Sequence, residues 1–313
     1  MTKPRATREG YADALLELGE ELPNVVVLDS DLSKSTGAAR FGKAFPDRFI
    51  NCGVAEQSMM GAAAGLAACG KICYTGSFAV FATGRAFEQI RNSIAYCNFE
   101  VKICPSHAGV TVGQDGGSHQ SVEDIALMRC LPNMKVIVPA DYIEAKTAVK
   151  AAAHISGPIY IRLGRPAVTP VNGDDYAFEF GRARVLRVGG DVTILAIGIM
   201  VGEALKAADR LAEEGISAEV INVITVKPLD EETILASVRK TGRAITAEEH
   251  SIIGGLGGAI SELLGEKHPA PVKRIGIGDM FGLSGSADEL LRHFKLTAGD
   301  IAEAARELLL YTQ

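Results

Sequence analysis

The chain has 313 residues, of which 47% are hydrophobic and 22% charged, so it has the composition of a folded globular protein with room for two domains. Its formal net charge is −6 with both signs spread along the chain, which argues against nucleic acid as a main partner. No apolar run reaches the length of a membrane span, and the first eight residues lack the apolar core of a signal peptide. We therefore expect a cytoplasmic protein without a membrane partner.

All six cysteines fall between Cys52 and Cys130, mostly in apolar segments. Cys69 and Cys73 are four positions apart, but no second pair accompanies them to complete a zinc site. The pattern predicts buried free thiols in a reducing cytosol.

Strands and helices alternate through the first half of the chain. The predicted helices are 7–22 with Thr7 as a cap, one after Glu56, 79–95, 121–130 and 141–154, and the predicted strands are 25–28, 48–51, 71–74, 101–104, 135–138 and 159–162. This alternation predicts an α/β fold with a mostly parallel sheet covered by helices on both faces. Ligands bind beyond the carboxyl ends of such strands. At that edge we expect the loops that hold Asp31, Glu56, Phe78, His107 and Arg165.

Residues 166–180 carry prolines and an Asn-Gly-Asp-Asp run, which predicts a linker. A second α/β unit starts near Gly181, with strands at about 192–198, 218–223, 244–248 and 272–276 and helices at about 200–214, 230–240 and 256–265. We therefore predict two domains, 1–170 and 181–313. The glycines of 254–258 open one helix without the spacing of a dinucleotide fingerprint, so we expect them to serve close helix packing.

Glu56 stands at the start of a helix made almost entirely of small side chains, 58–68. A carboxylate in a first helical turn can simply complement the helix dipole, which contributes under about 1 kcal/mol. A helix of small residues, however, must be approached closely by another part of the molecule. The carboxylate would then be desolvated, which favours its protonated form near neutrality and suits acid–base chemistry.

Four segments in order resemble one family. They are Gly-Val-Ala-Glu-Gln at 53–57, Phe-Ala-Val-Phe at 78–81, His107, and Gly-Gln-Asp-Gly-Gly-Ser-His-Gln at 113–120. They resemble the C-terminal half of the transketolase family of thiamine diphosphate enzymes, and the resemblance covers nearly the whole chain. It implies a pyrimidine-binding domain of the thiamine diphosphate-binding fold for 1–170 and a transketolase C-terminal-like domain for 181–313. The implied activity is transfer of a two-carbon ketol group between sugar phosphates in carbohydrate metabolism, as in the pentose phosphate pathway.

The same resemblance implies a cofactor pocket. Glu56 matches the family glutamate that protonates the ring nitrogen of the aminopyrimidine of thiamine diphosphate. Phe78 and Phe81 match aromatics that pack against that ring, and Asp31 matches an aspartate that borders the cofactor. The family often has another aromatic residue where this chain has Gly84, and Phe87 is a candidate to fill that gap.

The resemblance also implies a substrate site. His119 and Asp115 match catalytic-site residues that reach the sugar hydroxyls near the reacting carbon. The matching phosphate contacts are Arg8, Ser35, His107 and Arg165, with Arg162 as a weaker candidate. A guanidinium fork suits a phosphate better than an ammonium does.

A stretch that the family uses is missing. Thiamine diphosphate enzymes bind the magnesium diphosphate through Gly-Asp-Gly followed later by Asn, and the chain contains no Gly-Asp-Gly. We therefore expect thiamine diphosphate and Mg²⁺ as cofactors, with no metal ligand on this chain. The expected partner is an N-terminal-section subunit that carries the diphosphate-binding domain, with two copies of each chain.

Three alternatives stay open. The chain could be the beta subunit of a 2-oxo acid dehydrogenase decarboxylase component, a deoxyxylulose phosphate synthase-like enzyme, or a non-catalytic binding subunit that kept the fold. The sugar loop of 113–120 and the phosphate set favour a split transketolase over the first, and the intact Glu56 speaks against the last. The sequence does not identify the natural donor and acceptor sugars.

Overall fold

The computed structural model describes residues 3–311, so the first two and last two residues of the predicted domains lie outside it. The strands are β1 (Arg5–Ala6), β2 (Val25–Asp29), β3 (Phe49–Asn51), β4 (Ile72–Gly76), β5 (Val101–Ile103), β6 (Lys135–Ile137), β7 (Ile159–Ile161), β8 (Ala167–Val168), β9 (Arg184–Arg187), β10 (Val192–Ala196), β11 (Ala218–Asn222), β12 (Thr225–Lys227), β13 (Ala244–Ser251) and β14 (Val272–Ile277). The helices are α1 (Thr7–Glu21), α2 (Ser33–Thr36), α3 (Ala39–Ala44), α4 (Glu56–Ala68), α5 (Asp124–Arg129), α6 (Tyr142–Ala152), α7 (Met200–Glu213), α8 (Glu231–Thr241), α9 (Leu256–Lys267), α10 (Ala287–His293) and α11 (Ala298–Tyr311).

The first sheet has the strand order β12-β6-β7-β5-β4-β2-β3. Its strands run parallel except β12, which pairs antiparallel with β6. The side chains of successive residues of β2 point to opposite faces of the sheet, as in any pleated strand. Val25 and Val27 join a core with Leu15 of α1. Val26 and Leu28 join the core on the other face, which includes Met59 and Met60 of α4. The predicted parallel sheet with helices on both faces is confirmed.

The second sheet has the order β14-β13-β10-β11-β9, and only β9 pairs antiparallel among its strands. Helix α7 places Met200, Ala204 and Leu211 against it, in a core shared with Ile301 of α11. The two sheets are joined by a common core as well, because Leu195 and Leu256 belong to the same cluster as Met59.

Several predicted elements need correction. Residues 81–95 are helical but contain two π-helical segments, Phe81–Arg85 and Gln89–Ala95. The helix expected over 121–130 covers only Asp124–Arg129. Thr7 is not the cap of α1, because its hydroxyl accepts from the backbone N–H of Gly164 at 2.7 Å. That bond joins the start of α1 to the chain that follows β7.

The glycines at 254–258 do permit close packing. A Cβ on Gly257 would lie 2.8 Å from the Cδ of Arg274, and one on Gly255 would lie 2.0 Å from the Oε2 of Glu248. The Glu248 carboxyl accepts from the N–H groups of Leu256 and Gly257 at 2.7 and 2.8 Å. The start of α9 is therefore occupied by the protein's own carboxyl group, whose pKa burial raises to about 7.

The cysteines are free, but the expectation that they are buried is wrong for most of them. Cys73 in β4 and Cys104 directly after β5 are buried, whereas Cys69, Cys97 and Cys130 are exposed. The exposed thiols follow the ends of helical segments, where the chain turns at the surface. Within residues 3–311, no helix combines the length and the apolar character needed to cross a membrane.

Candidate active site

The carboxyl edge of the first sheet gathers the predicted site residues. Asp31 follows β2, Glu56 follows β3, Phe78 follows β4, His107 follows β5 and Arg165 follows β7. The parallel order of these strands brings the five loops to one edge. Side-chain contacts then divide the predicted residues into a carboxyl and aromatic cluster, an arginine corner and a glycine-rich loop.

Glu56 is buried, with 1% of its surface exposed. Its Oε1 accepts from the hydroxyl of Ser77 at 3.4 Å, and its Oε2 accepts from Nη1 of Arg85 at 2.7 Å. It is the first residue of α4, and Ala55 before it offers no side-chain cap. The carboxyl group therefore stands at the helix start with its main contacts directed to the chain after β4.

The aromatic rings are linked to this carboxyl group through Arg85. Phe78 stacks on His107 with ring centroids 3.9 Å apart and an interplanar angle of 19°. Phe81 lies 6.1 Å from Phe78 at 15°, and the His119 ring meets Phe81 edge-on at 5.4 Å. The guanidinium of Arg85 lies 4.7 Å from the centre of the Phe81 ring. Phe78 and Phe81 thus form an aromatic wall of two nearly parallel rings. The imidazole of His107 stacks on Phe78, and that of His119 meets Phe81 edge-on.

Phe87 does not fill the place of the missing aromatic. Its side chain packs against the hydrophobic core on the α4 side of the sheet. A Cβ on Gly84 would meet nothing within 4 Å. The pocket beside Phe81 is thus more open than the family pattern leads one to expect.

His107 is an uncharged imidazole in this site. Burial, together with the positive charges of Arg8 and Arg165, lowers its pKa to about 3. Its Nδ1 lies 2.8 Å from the Ser106 hydroxyl. Its φ of 60° is the left-handed region, which non-glycine residues rarely adopt, so the backbone here is held by its surroundings.

Arg8 and Arg165 form a corner of positive charge. Nη1 of Arg8 donates to the backbone carbonyl of Ser35 at 2.5 Å, while its Nε is buried without a partner among the described residues. Burial lowers the pKa of Arg8, and the charge of Arg165 opposes that of Arg8 as well. Arg165 donates to the carbonyl of Val112 and lies 3.5 Å from the carboxylate of Asp115. Two guanidinium groups that repel one another favour a bound anion.

The glycine-rich loop is fixed by both domains. Glu249 of β13 accepts from the N–H of Thr111 at 2.6 Å, and Gln120 donates to the carbonyl of Leu283 at 2.8 Å. Gly109, at φ 77°, lies so close that a Cβ there would be 2.2 Å from the Glu249 carboxylate. The loop that carries Asp115 and His119 therefore has its conformation set by the C-terminal half of the chain.

Three of the predicted residues make contacts within the protein. Arg162 is 6% exposed and is bound by the Asp124 carboxylate at 2.7 Å, so it is a structural residue and the phosphate role is wrong for it. Ser35 meets Arg8 through its backbone carbonyl. Asp31 contacts Asn51 at 3.2 Å, at the end of the neighbouring strand.

Sequence reasoning missed Ser77, Arg85 and Asp29. Asp29 is fully buried at the end of β2, where its carboxyl accepts from the N–H of Leu32 at 2.7 Å and from the Thr36 hydroxyl at 3.2 Å. Burial raises its pKa to about 6. It thereby shapes the turn that carries Ser35. The four-residue spacing of Phe81 and Arg85 in a helical segment was the available signal for a contact between them.

The described residues contain no group of three or more His, Cys, Asp or Glu side chains arranged to hold a metal ion. The carboxyl and aromatic cluster suits an organic ring that carries a basic nitrogen, because a buried carboxyl group and a phenyl ring contact the same side chain, Arg85.

Comparison with known proteins identifies the family. The family model for the transketolase pyrimidine-binding domain matches residues 3–170, and that for the transketolase C-terminal domain matches 181–301. The chain is 49% identical over 306 residues to a protein of Methanocaldococcus jannaschii named "Putative transketolase C-terminal section", covering 97% of this chain and 96% of that one. It is 47% identical over 301 residues to the "6-deoxy-6-sulfo-D-fructose transketolase subunit SqwH" of Clostridium sp. strain MSTE9, covering 96% and 94%.

A solved structure agrees. The structure described as "Split gene transketolase, inactive beta4 tetramer" superposes with a TM-score of 0.91 at 51% identity, over 99% of this chain and all of that one. The chain belongs to the transketolase family.

Proposed function

We propose that this chain is one subunit of a thiamine diphosphate-dependent transketolase that transfers a two-carbon ketol group between sugar phosphates. The observation that carries the proposal is the buried Glu56 carboxyl group at the start of α4, linked through Arg85 to the parallel rings of Phe78 and Phe81. This is the half of a cofactor site that receives an aminopyrimidine.

Glu56 would hold and share the proton on the ring nitrogen of the cofactor, and Phe78 and Phe81 would form the wall against which the ring lies. The bound cofactor supplies a nucleophilic carbon that takes up the ketol group. Burial of Glu56 keeps water away from the shared proton, so the proton stays between carboxyl group and ring.

The substrate would bind in line from the aromatic wall to the arginine corner. His119 and Asp115 would contact sugar hydroxyls near the reacting carbon. Arg8 and Arg165 would bind the terminal phosphate, with the uncharged His107 as a hydrogen-bonding neighbour. The buried, unpartnered Nε of Arg8 supports this assignment, because an anion would satisfy it.

The proposed enzyme needs a second polypeptide for Mg²⁺ and the diphosphate. The chain has no Gly-Asp-Gly, and its described part has no metal cluster. Two relatives carry "section" or "subunit" in their names, and the split-gene neighbour is described as inactive in a beta4 form. We propose an assembly with two copies of each chain, located in the cytoplasm.

A terminal sulfonate is a second candidate for the anion. One relative is named for 6-deoxy-6-sulfo-D-fructose, and a pair of guanidinium groups binds any tetrahedral oxyanion. Sugars matched except for phosphate or sulfonate at the terminal carbon distinguish the two.

Glu56→Gln tests the proposal. The substitution keeps the shape of the side chain and removes its titrating proton, so ketol transfer by the assembled enzyme should fall by about 100-fold or more. Circular dichroism and size-exclusion chromatography check that the variant still folds and assembles. A near wild-type rate at saturating cofactor would show that Glu56 does not perform this role.

A further inference from the structure

Arg85 contacts both surfaces that the proposed cofactor ring would need. Its Nη1 lies 2.7 Å from Oε2 of Glu56, and its guanidinium carbon lies 4.7 Å from the centre of the Phe81 ring. The neighbouring Phe78 ring is already stacked on His107 at 3.9 Å. One side chain thus engages both a carboxyl oxygen of Glu56 and the Phe81 ring.

A guanidinium group and an aminopyrimidine have features in common. Both are planar, both can present N–H to a carboxylate, and both lie favourably against an aromatic face. A guanidinium group held by Glu56 and Phe81 therefore occupies the kind of contact that the ring would make.

Among Arg85, Glu56 and Phe81, Arg85 is the side chain that can move. Its side chain is 47% exposed, while Glu56 is 1% exposed and Phe81 is half-buried. Gly84 beside it has open space, and the π-helical segment Phe81–Arg85 ends at this residue. Arg85 can swing into solvent without repacking of the core.

We infer that Arg85 is a placeholder in the cofactor site of the unassembled chain, where it pairs with Glu56 and must leave before the aminopyrimidine of thiamine diphosphate can bind. The inference rests on the proposed function. It makes Arg85 a residue that lowers cofactor affinity while it keeps the buried Glu56 carboxylate paired until the partner subunit and cofactor arrive.

Arg85→Met tests this, because methionine keeps an unbranched apolar side chain and removes the guanidinium. Isothermal titration calorimetry of the assembled enzyme with thiamine diphosphate at saturating Mg²⁺ measures the effect without turnover. We expect Arg85→Met to bind the cofactor about three- to tenfold more tightly than wild type, a change that corresponds to about 0.7–1.4 kcal/mol. Arg239→Met, which removes an exposed charge of α8, is the matched control and should leave the affinity unchanged.

The dependence of cofactor affinity on ionic strength provides a second test. Screening weakens the half-exposed pair of Arg85 and Glu56, so the ratio of the two affinities should fall toward one as ionic strength rises. Arg85→Gln gives the same comparison with a polar side chain if the methionine variant does not assemble.

The possible results distinguish failure of this inference from failure of the proposed function. Equal or weaker binding by Arg85→Met, and by Arg85→Gln, would overturn the inference and show that Arg85 supports the bound state. Binding by neither the wild-type assembly nor the variants would contradict the proposed function itself, and the inference with it.

Discussion

In the candidate active site, the charge of each side chain depends on its burial and on its charged neighbours. His107 stays neutral because it is buried beside the two guanidinium groups of Arg8 and Arg165. Arg8 keeps a buried Nε without a partner, although its other end is held by Ser35. A site with two repelling cations and a neutral imidazole gains free energy when an anion binds, because the anion satisfies both guanidinium groups.

Arg165→Ala should therefore act on the phosphate end of the substrate. A charge-assisted hydrogen bond contributes about 1.5–3 kcal/mol, so KM for a phosphorylated sugar should rise roughly 10- to 100-fold with a smaller fall in kcat. The matched unphosphorylated sugar should change little. Steady-state kinetics on this pair measure the difference, and equal losses on both sugars would make Arg165 a structural residue.

Glu144 offers a test of pH dependence at a contact between the domains. Burial raises its pKa from 4.5 to about 7. Its oxygens accept from the Nδ2 of Asn222 at 2.8 and 3.1 Å. The Oδ1 of Asn222 is buried without a partner among the described residues.

The folded chain keeps a proton on Glu144 that the unfolded chain releases, so this group stabilises the fold below about pH 4.5. The contribution, up to about 3 kcal/mol, is lost as the pH rises to about 7. Glu144→Gln cannot ionise and should show a flatter dependence of the unfolding temperature on pH between 5 and 8. Glu213→Gln, at an exposed position of α7, is the control. Identical slopes for Glu144→Gln and wild type would contradict the assignment.

At the scale of elements, hydrophobic periodicity predicted the order of strands and helices. The alternation of strands and helices, and the edge at which the site loops meet, followed from hydrophobic runs such as Val25–Leu28 and are confirmed. Strand β12 was missed because its pairing with β6 depends on contacts between distant parts of the chain. The hydrogen bond from Gly164 to Thr7 was missed for the same reason.

The positions of some predicted site residues followed from local motifs. Glu56 and the two phenylalanines stand in short recognisable stretches, and the structure places Glu56 and Phe81 in contact with the same arginine. The partner of Glu56 could not be read from its own segment, since Arg85 lies 29 positions away. The burial of Arg162 likewise depends on Asp124, which lies on another element.

The glycine-rich loop gives an element-scale prediction. A Cβ on Gly117 would lie 2.6 Å from the backbone carbonyl oxygen of Gly282, which no side-chain rotation can relieve. Gly117→Ala should displace the loop that carries Asp115 and His119 and lower kcat/KM about tenfold or more. In Gly265→Ala the added methyl meets nothing within 4 Å on an exposed face of α9. That control should keep activity and gain about 0.5–1 kcal/mol of stability. Equal activity of the two variants would mean that the loop tolerates the shift.

At the scale of the whole molecule, the two predicted domains are interlocked. Strand β12, from the second half of the chain, completes the first sheet, and Glu249 holds the loop that contains Thr111. The C-terminal half thus positions the glycine-rich loop. The exposed small residues of α4, among them Gly61 and Gly65 with open space at the Cβ position, leave a flat face beside Glu56. We expect this face to pack against another subunit.

The measurement that tests the account most directly is ketol transfer by this chain with and without a diphosphate-domain partner. The purified chain, given thiamine diphosphate, Mg²⁺ and a ketose phosphate with an aldose phosphate acceptor, should show no turnover and only weak cofactor binding. Addition of the partner should restore both, and Glu56→Gln should abolish the restored rate. Full activity from the isolated chain at high purity would contradict the claim that it holds half of a shared active site.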